Sequence, residues 1–186
     1  EALVFGDERL SWADFRRQMT LVAKAYLAAG VEPGDRVAMI SMACPEFKIS
    51  YMAAGKVGAM WLGLNPKFTL EELRYQIGDS KPKVIITRRR FLDKDLAENL
   101  VPLMKEFPFI KKVLVMGEPF EGAESYDAFA RAPRPELDAA LEKRSAAVKD
   151  SDSALLMYTS GSTGKPKGVV QTHASIVANV RVMMEQ

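Results

Sequence analysis

Short apolar runs of strand length alternate with amphipathic helical segments along most of this chain, and that alternation restricts the fold more than any single residue does. Arg36 to Ser41 and Ala59 to Leu64 read as strands, with Pro45 to Lys56 a helix between them whose proline falls in the first turn, where a missing amide is harmless. Upstream, Trp12, Phe15, Met19, Val22 and Tyr26 recur at steps of three and four and so line one helical face, with Ser11 as N-cap and Gly30 just past the end. Thr69 and Glu72 have the spacing of a capping box, and open a helix whose Leu70, Leu73 and Ile77 turn inward. Val84 to Thr87 and Lys112 to Val115 are two further strands, separated by helical sequence that Pro102 should interrupt or restart. Strand-helix-strand units with short connections predict an α/β fold, a doubly wound and mainly parallel sheet with flanking helices. Residues 132–150 carry Pro, Ala and alternating charge and read as a partly helical connection. The expected division is an α/β layer over 1–131, that connection, and a strand-loop-strand-helix unit over 151–186.

The most distinctive local feature is the run from Tyr158 to Gly168, Y-T-S-G-S-T-G-K-P-K-G. Thr159, Ser160, Ser162 and Thr163 supply hydroxyl donors, Gly161 and Gly164 let main-chain amides approach an anion, and Lys165 and Lys167 add positive charge. Such a set suits phosphate. The spacing is not that of a Walker A loop, which needs four residues between its glycines and a Ser or Thr after the lysine; here two residues separate Gly161 from Gly164, and Pro166 follows Lys165. Proline lacks an amide hydrogen, so a helix cannot start at Lys165 as it does in that loop. A G-x-G-x-x-G turn is missing as well. Ser153 to Tyr158 and Gly168 to Gln171 read as strands, which makes the loop the connection of a hairpin, followed by a helix capped by Thr172. The competing reading is a plain Gly/Ser surface turn.

The run from Leu156 through Lys167 resembles the signature of the adenylate-forming enzymes, which include acyl-CoA synthetases, aryl-CoA ligases, firefly luciferase and the adenylation domains of peptide synthetases. Arg9 to Phe15, Gly34-Asp35-Arg36-Val37, and Gly58-Ala59 through Asn65-Pro66 are similar to further segments of that family, so the likeness covers nearly the whole chain. Asn65 to Leu73 looks like the acyl-CoA synthetase branch, although Leu62-Gly63-Leu64 lacks a proline often found there and Trp12 stands where tyrosine is usual. The resemblance implies a parent enzyme in which a fatty or aromatic carboxylic acid attacks the α-phosphorus of ATP, and coenzyme A then displaces AMP to give a thioester. It also implies that Thr159, Ser160, Gly161, Ser162, Thr163, Gly164, Lys165 and Lys167 bind the ATP phosphates, that Thr159 meets the bridging Mg2+, and that Lys165 faces solvent. On the same likeness, adenine, ribose and catalytic-lysine contacts lie past Gln186, so the chain reads as an N-terminal piece, inactive by itself and prone to self-association along Ile176, Val180 and Met183. The alternatives are a non-catalytic folding or interaction module and an atypical P-loop phosphotransferase.

Composition narrows the rest. With 48% apolar and 27% charged residues the 186-residue chain can bury an ordinary core, and a net charge of +2 provides no field for nucleic acid or anionic lipid. The longest apolar run, Val57 to Leu64, falls short of the ~20 residues that span a bilayer. A soluble, cytoplasmic protein without a transmembrane segment is the expectation. The single cysteine, Cys44, beside Pro45, suits a small buried residue better than a nucleophile, and the single histidine, His173, cannot hold a metal alone. The resemblance sets His173 near the acyl or nucleotide pocket; packing at the helix start is the equal alternative. Arg88 to Arg90 read as a solvated helix start, while the ten methionines, Phe107, Phe109 and Ile110 read as core.

Overall fold

The computed structural model describes residues 1–160 and 165–185. In chain order the elements are β1 (Leu3–Phe5), β2 (Glu8–Leu10), α1 (Trp12–Ala28), β3 (Arg36–Ile40), α2 (Pro45–Lys56), β4 (Met60–Leu64), α3 (Leu70–Ser80) and β5 (Val84–Arg88). They continue with β6 (Arg90–Phe91), β7 (Lys94–Asp95), α4 (Ala97–Glu106), β8 (Lys112–Met116), β9 (Glu124–Ser125), α5 (Tyr126–Ala130), a 3-10 turn (Pro135–Leu137), α6 (Asp138–Ala147), β10 (Ser153–Thr159), β11 (Lys167–Thr172) and α7 (His173–Met184).

Both faces of the central strands are apolar, so the sheet needs a helical layer on each side. Val37 and Met39 of β3 face one way and Ala38 and Ile40 the other, and all four are fully buried. The first face packs Val37, Met39, Trp61, Val84 and Ile86 against α1, α2, α5 and α6. The second packs Ala38, Ile40, Leu62, Leu64 and Ile85 against Leu73 and Ile77 of α3 and Leu100 and Leu103 of α4. Seven strands form the sheet in the order β11-β10-β4-β3-β5-β8-β9. Every pairing in it is parallel except β10 with β11, which gives the doubly wound, mainly parallel fold expected. β1 with β2 and β6 with β7 form two small separate hairpins.

Local signals account for most boundaries. Ser11 caps α1 by accepting from the Asp14 amide, and Gly30 follows its end at φ 73°, a conformation that glycine adopts without strain. Thr69 and Glu72 complete a reciprocal capping box on α3. Four expectations differ from the structure. Trp12 lies on the α1 stripe but is 60% exposed, with its ring in edge contact with the buried Phe15. Pro102 does not break α4: it forfeits one intrahelical bond, and the fully buried Leu100 and Leu103 hold the helix on the sheet regardless. Arg88 to Arg90 do not begin a helix. Leu92, at φ 52°, turns the chain into the β6–β7 hairpin, and Asp95 both pairs with Arg89 at 2.9 Å and accepts from the Ala97 amide, so α4 starts only there. Met42, Met52, Met157, Met183 and Met184 are not core; they are 54%, 40%, 38%, 75% and 81% exposed.

Candidate phosphate site

β10 runs parallel to β4, so its last residue, Thr159, emerges at the carboxyl edge of the sheet, the edge on which open α/β sheets collect ligands. β10 and β11 are antiparallel, with Tyr158 opposite Gly168 and Thr159 opposite Lys167. The expected hairpin therefore exists, and its mouth sets the Thr159 hydroxyl and the Lys167 ammonium on facing positions, both exposed. Gly168 has a packing reason: a Cβ there would come within 3.1 Å of Leu156 Cδ1 and 3.6 Å of the Tyr158 ring. Ser160 is exposed directly after β10, and Lys165 is exposed where the chain returns. Gly161, Ser162, Thr163 and Gly164, also predicted as phosphate contacts, lie outside the described residues.

Both arms of this loop rest on α3. The Tyr158 hydroxyl donates to Asp79 Oδ2 at 2.6 Å and reaches the Gln76 carbonyl at 3.3 Å, while its ring meets Tyr75 edge to face at 6.5 Å. Burial, with the neighbouring Asp79 carboxylate, holds the Tyr158 phenol well above its usual range, so it stays a donor. Tyr75 donates from its hydroxyl to the Pro166 carbonyl at 3.0 Å, and the Lys165 ammonium lies 5.7 Å from the centre of the same ring. Lys165 is thus exposed yet seated over an aromatic face rather than pointing freely into solvent. The sequence alone does not mark Tyr75 and Asp79; the one signal it carries is their i, i+4 spacing on one flank of α3.

The other candidates fall elsewhere. His173 is the first residue of α7; its amide donates to the Asp152 carbonyl at 3.1 Å, and its ring packs on Gly55 of α2, where a Cβ would lie 3.2 Å from Cε1. The ring thus packs at the helix start and also lines an open cleft of about 600 Å³ with residues of α2, α6 and α7. His173 Nε2 is buried without a hydrogen-bond partner among the described residues. Cys44 is buried at the N-cap of α2 with only a long contact to Ser41 Oγ, 3.9 Å, as befits a small apolar residue. Arg88 and Arg90 line a second cleft of about 320 Å³, also on the carboxyl edge, with Ser41, Pro66 and Phe91. Among the described residues no group of three or more His, Cys, Asp or Glu side chains could hold a metal ion, and no helix is long and apolar enough to cross a membrane.

A family model described as AMP-binding enzyme matches residues 1–186. The acyl-CoA ligase sidI of Aspergillus fumigatus is 30% identical over 97% of this chain and 32% of its own length. A feruloyl-CoA synthase of Amycolatopsis is 33% identical over 99% of this chain and 33% of its own. Among solved structures, an anthranilate CoA ligase, AuaEII, in complex with anthranoyl-AMP superimposes with a TM-score of 0.76 at 27% identity, covering 90% of this chain and 30% of that one. ATP-bound MatB of Rhodopseudomonas palustris shares the fold, with a TM-score of 0.70 at 24% identity over 96% of this chain and 32% of its own. The chain spans about a third of the length of the curated relatives it matches. The chain belongs to the AMP-binding enzyme family.

Proposed function

We propose that this chain is the phosphate-loop part of an AMP-forming acid–thiol ligase, which converts a fatty or aromatic carboxylic acid, ATP and coenzyme A into acyl-CoA by way of acyl-AMP. The observation that carries this reading is the facing pair Thr159 and Lys167 at the mouth of a hairpin on the carboxyl edge of the sheet, within a chain that matches the family along its whole length. The names of the relatives support the chemistry, and their variety leaves the acid at the level of a class.

The carboxylate attacks the α-phosphorus, the bond to the bridging oxygen breaks, and negative charge collects on departing pyrophosphate. Ser160, Gly161, Ser162, Thr163, Gly164 and Lys165 are proposed to surround the β- and γ-phosphates with donors, and Lys167 to carry the main positive charge. Groups aimed at the charge that develops on a leaving group lower the barrier without covalent participation. Thr159 fits the Mg2+ position in kind: an exposed hydroxyl with no carboxylate cage among the described residues suits an ion that keeps phosphate and water oxygens as its main ligands. Bound there, the ion would neutralise phosphate charge. Division of the chain into 1–131, the connection 132–150 and the loop-bearing 151–186 belongs to the same proposal, as does a cytoplasmic setting where ATP and coenzyme A are at hand.

ATP–pyrophosphate exchange in the protein as its gene encodes it tests this. Exchange that needs Mg2+ and a carboxylic acid, with AMP as the released nucleotide once coenzyme A is added, is the expected result. Formation of ADP instead would favour an atypical phosphotransferase and overturn the ligase reading.

A further inference from the structure

We propose that Tyr75 is a positioning residue for the phosphate loop, holding the loop's outgoing arm to α3 through its hydroxyl on the Pro166 carbonyl and its ring beneath Lys165. This rests on the reading of the loop as a phosphate site, but the contact itself is independent of what the loop binds.

Pro166 has no amide hydrogen, so its carbonyl is the one main-chain polar group through which the chain can be fixed at that position. Tyr75 meets it at 3.0 Å, one residue before Lys167. The same ring carries the Lys165 ammonium at 5.7 Å, so a single side chain engages the residues on either side of the Lys165–Pro166 bond. The helix behind it is capped at both ends: the Thr69–Glu72 box closes its first turn, and its last is closed by the Lys81 amide bonding to the Ile77 carbonyl, with Lys81 in the left-handed region at φ 50°. The incoming arm is tied to the same helix, through Tyr158 to Asp79 and to the Gln76 carbonyl. By contrast, the hairpin joins the sheet through only two β10–β4 residue pairs, Leu155 with Trp61 and Leu156 with Leu62. Both ends of the loop are therefore referenced to α3. An ammonium held by one short arm of chain keeps its distance to a phosphate only if that arm is fixed, and displacement of about 1 Å at a charged contact is costly in rate.

Two substitutions and two readouts test this. Tyr75→Phe keeps the ring and removes the hydroxyl; Tyr75→Leu removes both contacts. In the 186-residue chain, trypsin resists the Lys165–Pro166 bond because of the proline, so nicking at Lys167–Gly168, identified by mass, reads opening of this arm. Nicking should accelerate in Tyr75→Phe and further in Tyr75→Leu while circular dichroism is unchanged. In the protein as its gene encodes it, pre-steady-state adenylation should slow by about fivefold for Tyr75→Phe, the scale of one hydrogen bond, and on the order of twentyfold for Tyr75→Leu, with thioester formation from added acyl-adenylate unaffected. Unchanged nicking in both variants, or equal loss in both half-reactions, would overturn the proposal. If the unsubstituted protein forms no adenylate from any acid, the ligase reading fails instead, and the nicking rates alone decide whether Tyr75 anchors the arm.

Discussion

Two lysines two positions apart meet different surroundings, and the roles proposed for them differ accordingly. Lys167 opens β11 opposite Thr159 with its side chain exposed at the hairpin mouth, whereas Lys165 is seated over the Tyr75 ring. Lys167→Ala should therefore remove a charge-assisted contact to the departing pyrophosphate, worth ~2 to 4 kcal/mol, and slow adenylation on the order of a hundredfold or more. Lys165→Ala removes an exposed cation–π contact of ~0.5 to 1 kcal/mol and should cost less than about tenfold. Pre-steady-state measurement of acyl-adenylate formation distinguishes the two; equal losses, or a loss confined to thioester formation, would place the clamp elsewhere. As a candidate phosphate site this run was legible because hydroxyl, glycine and lysine types stand side by side in the sequence. Tyr75 was not, because its partner is a backbone carbonyl 91 positions away, and a carbonyl leaves no side-chain signature.

Elements whose causes are local could be read directly, and α3 shows how far that extends. The Thr69 hydroxyl accepts from the Glu72 amide, while Glu72 accepts from the Thr69 amide, and all of this is written in four consecutive residues. Thr69→Ala should destabilise the fold by ~1 kcal/mol in urea unfolding. The backbone hydrogen bond from Thr69, and then its hydroxyl, hold the Glu72 carboxyl below its usual range. A carboxyl depressed in the folded state contributes stability above its unfolded value and loses it as the pH falls through the folded one. The stability difference between the unsubstituted chain and Glu72→Gln should thus be present at neutral pH and close on acidification below the ordinary glutamate range; a difference that persists at pH 2 would contradict it. Where tertiary contacts decide, local signals misled: Pro102 continues a helix because the buried residues around it hold α4 to the sheet, and Arg88 to Arg90 enter a hairpin because Asp95 partners Arg89 from the far strand. Likewise, Trp12 falls on the helical period of α1, but period alone does not tell whether a neighbour covers the residue, and Trp12 stays 60% exposed.

Over the whole molecule, apolar surface is distributed unevenly. None of α7 is buried, and Val169, Val170, Val177, Val180 and Val182 are 41%, 52%, 48%, 49% and 58% exposed, beside Met183 and Met184. Exposed apolar residues at this density are what an association surface would present. The 186-residue chain should self-associate with rising concentration in sedimentation or light scattering, and Val180→Lys should shift it towards monomer; a monomer at all concentrations would show that this face is satisfied within one chain. The short β4–β10 junction has a different consequence, in the order of assembly. β3, β4 and β5 are joined through α2 and α3 by connections of local length, so they can form early as the chain leaves the ribosome, whereas β10 must find a partner strand made long before it. On that order of assembly, α3 would be in place, with Tyr75, Gln76 and Asp79 on it, before the hairpin docks. The arms of the β10–β11 hairpin are in that sense cast against a finished mould, so slow or faulty docking would yield a chain with most of its secondary structure intact and these arms unanchored.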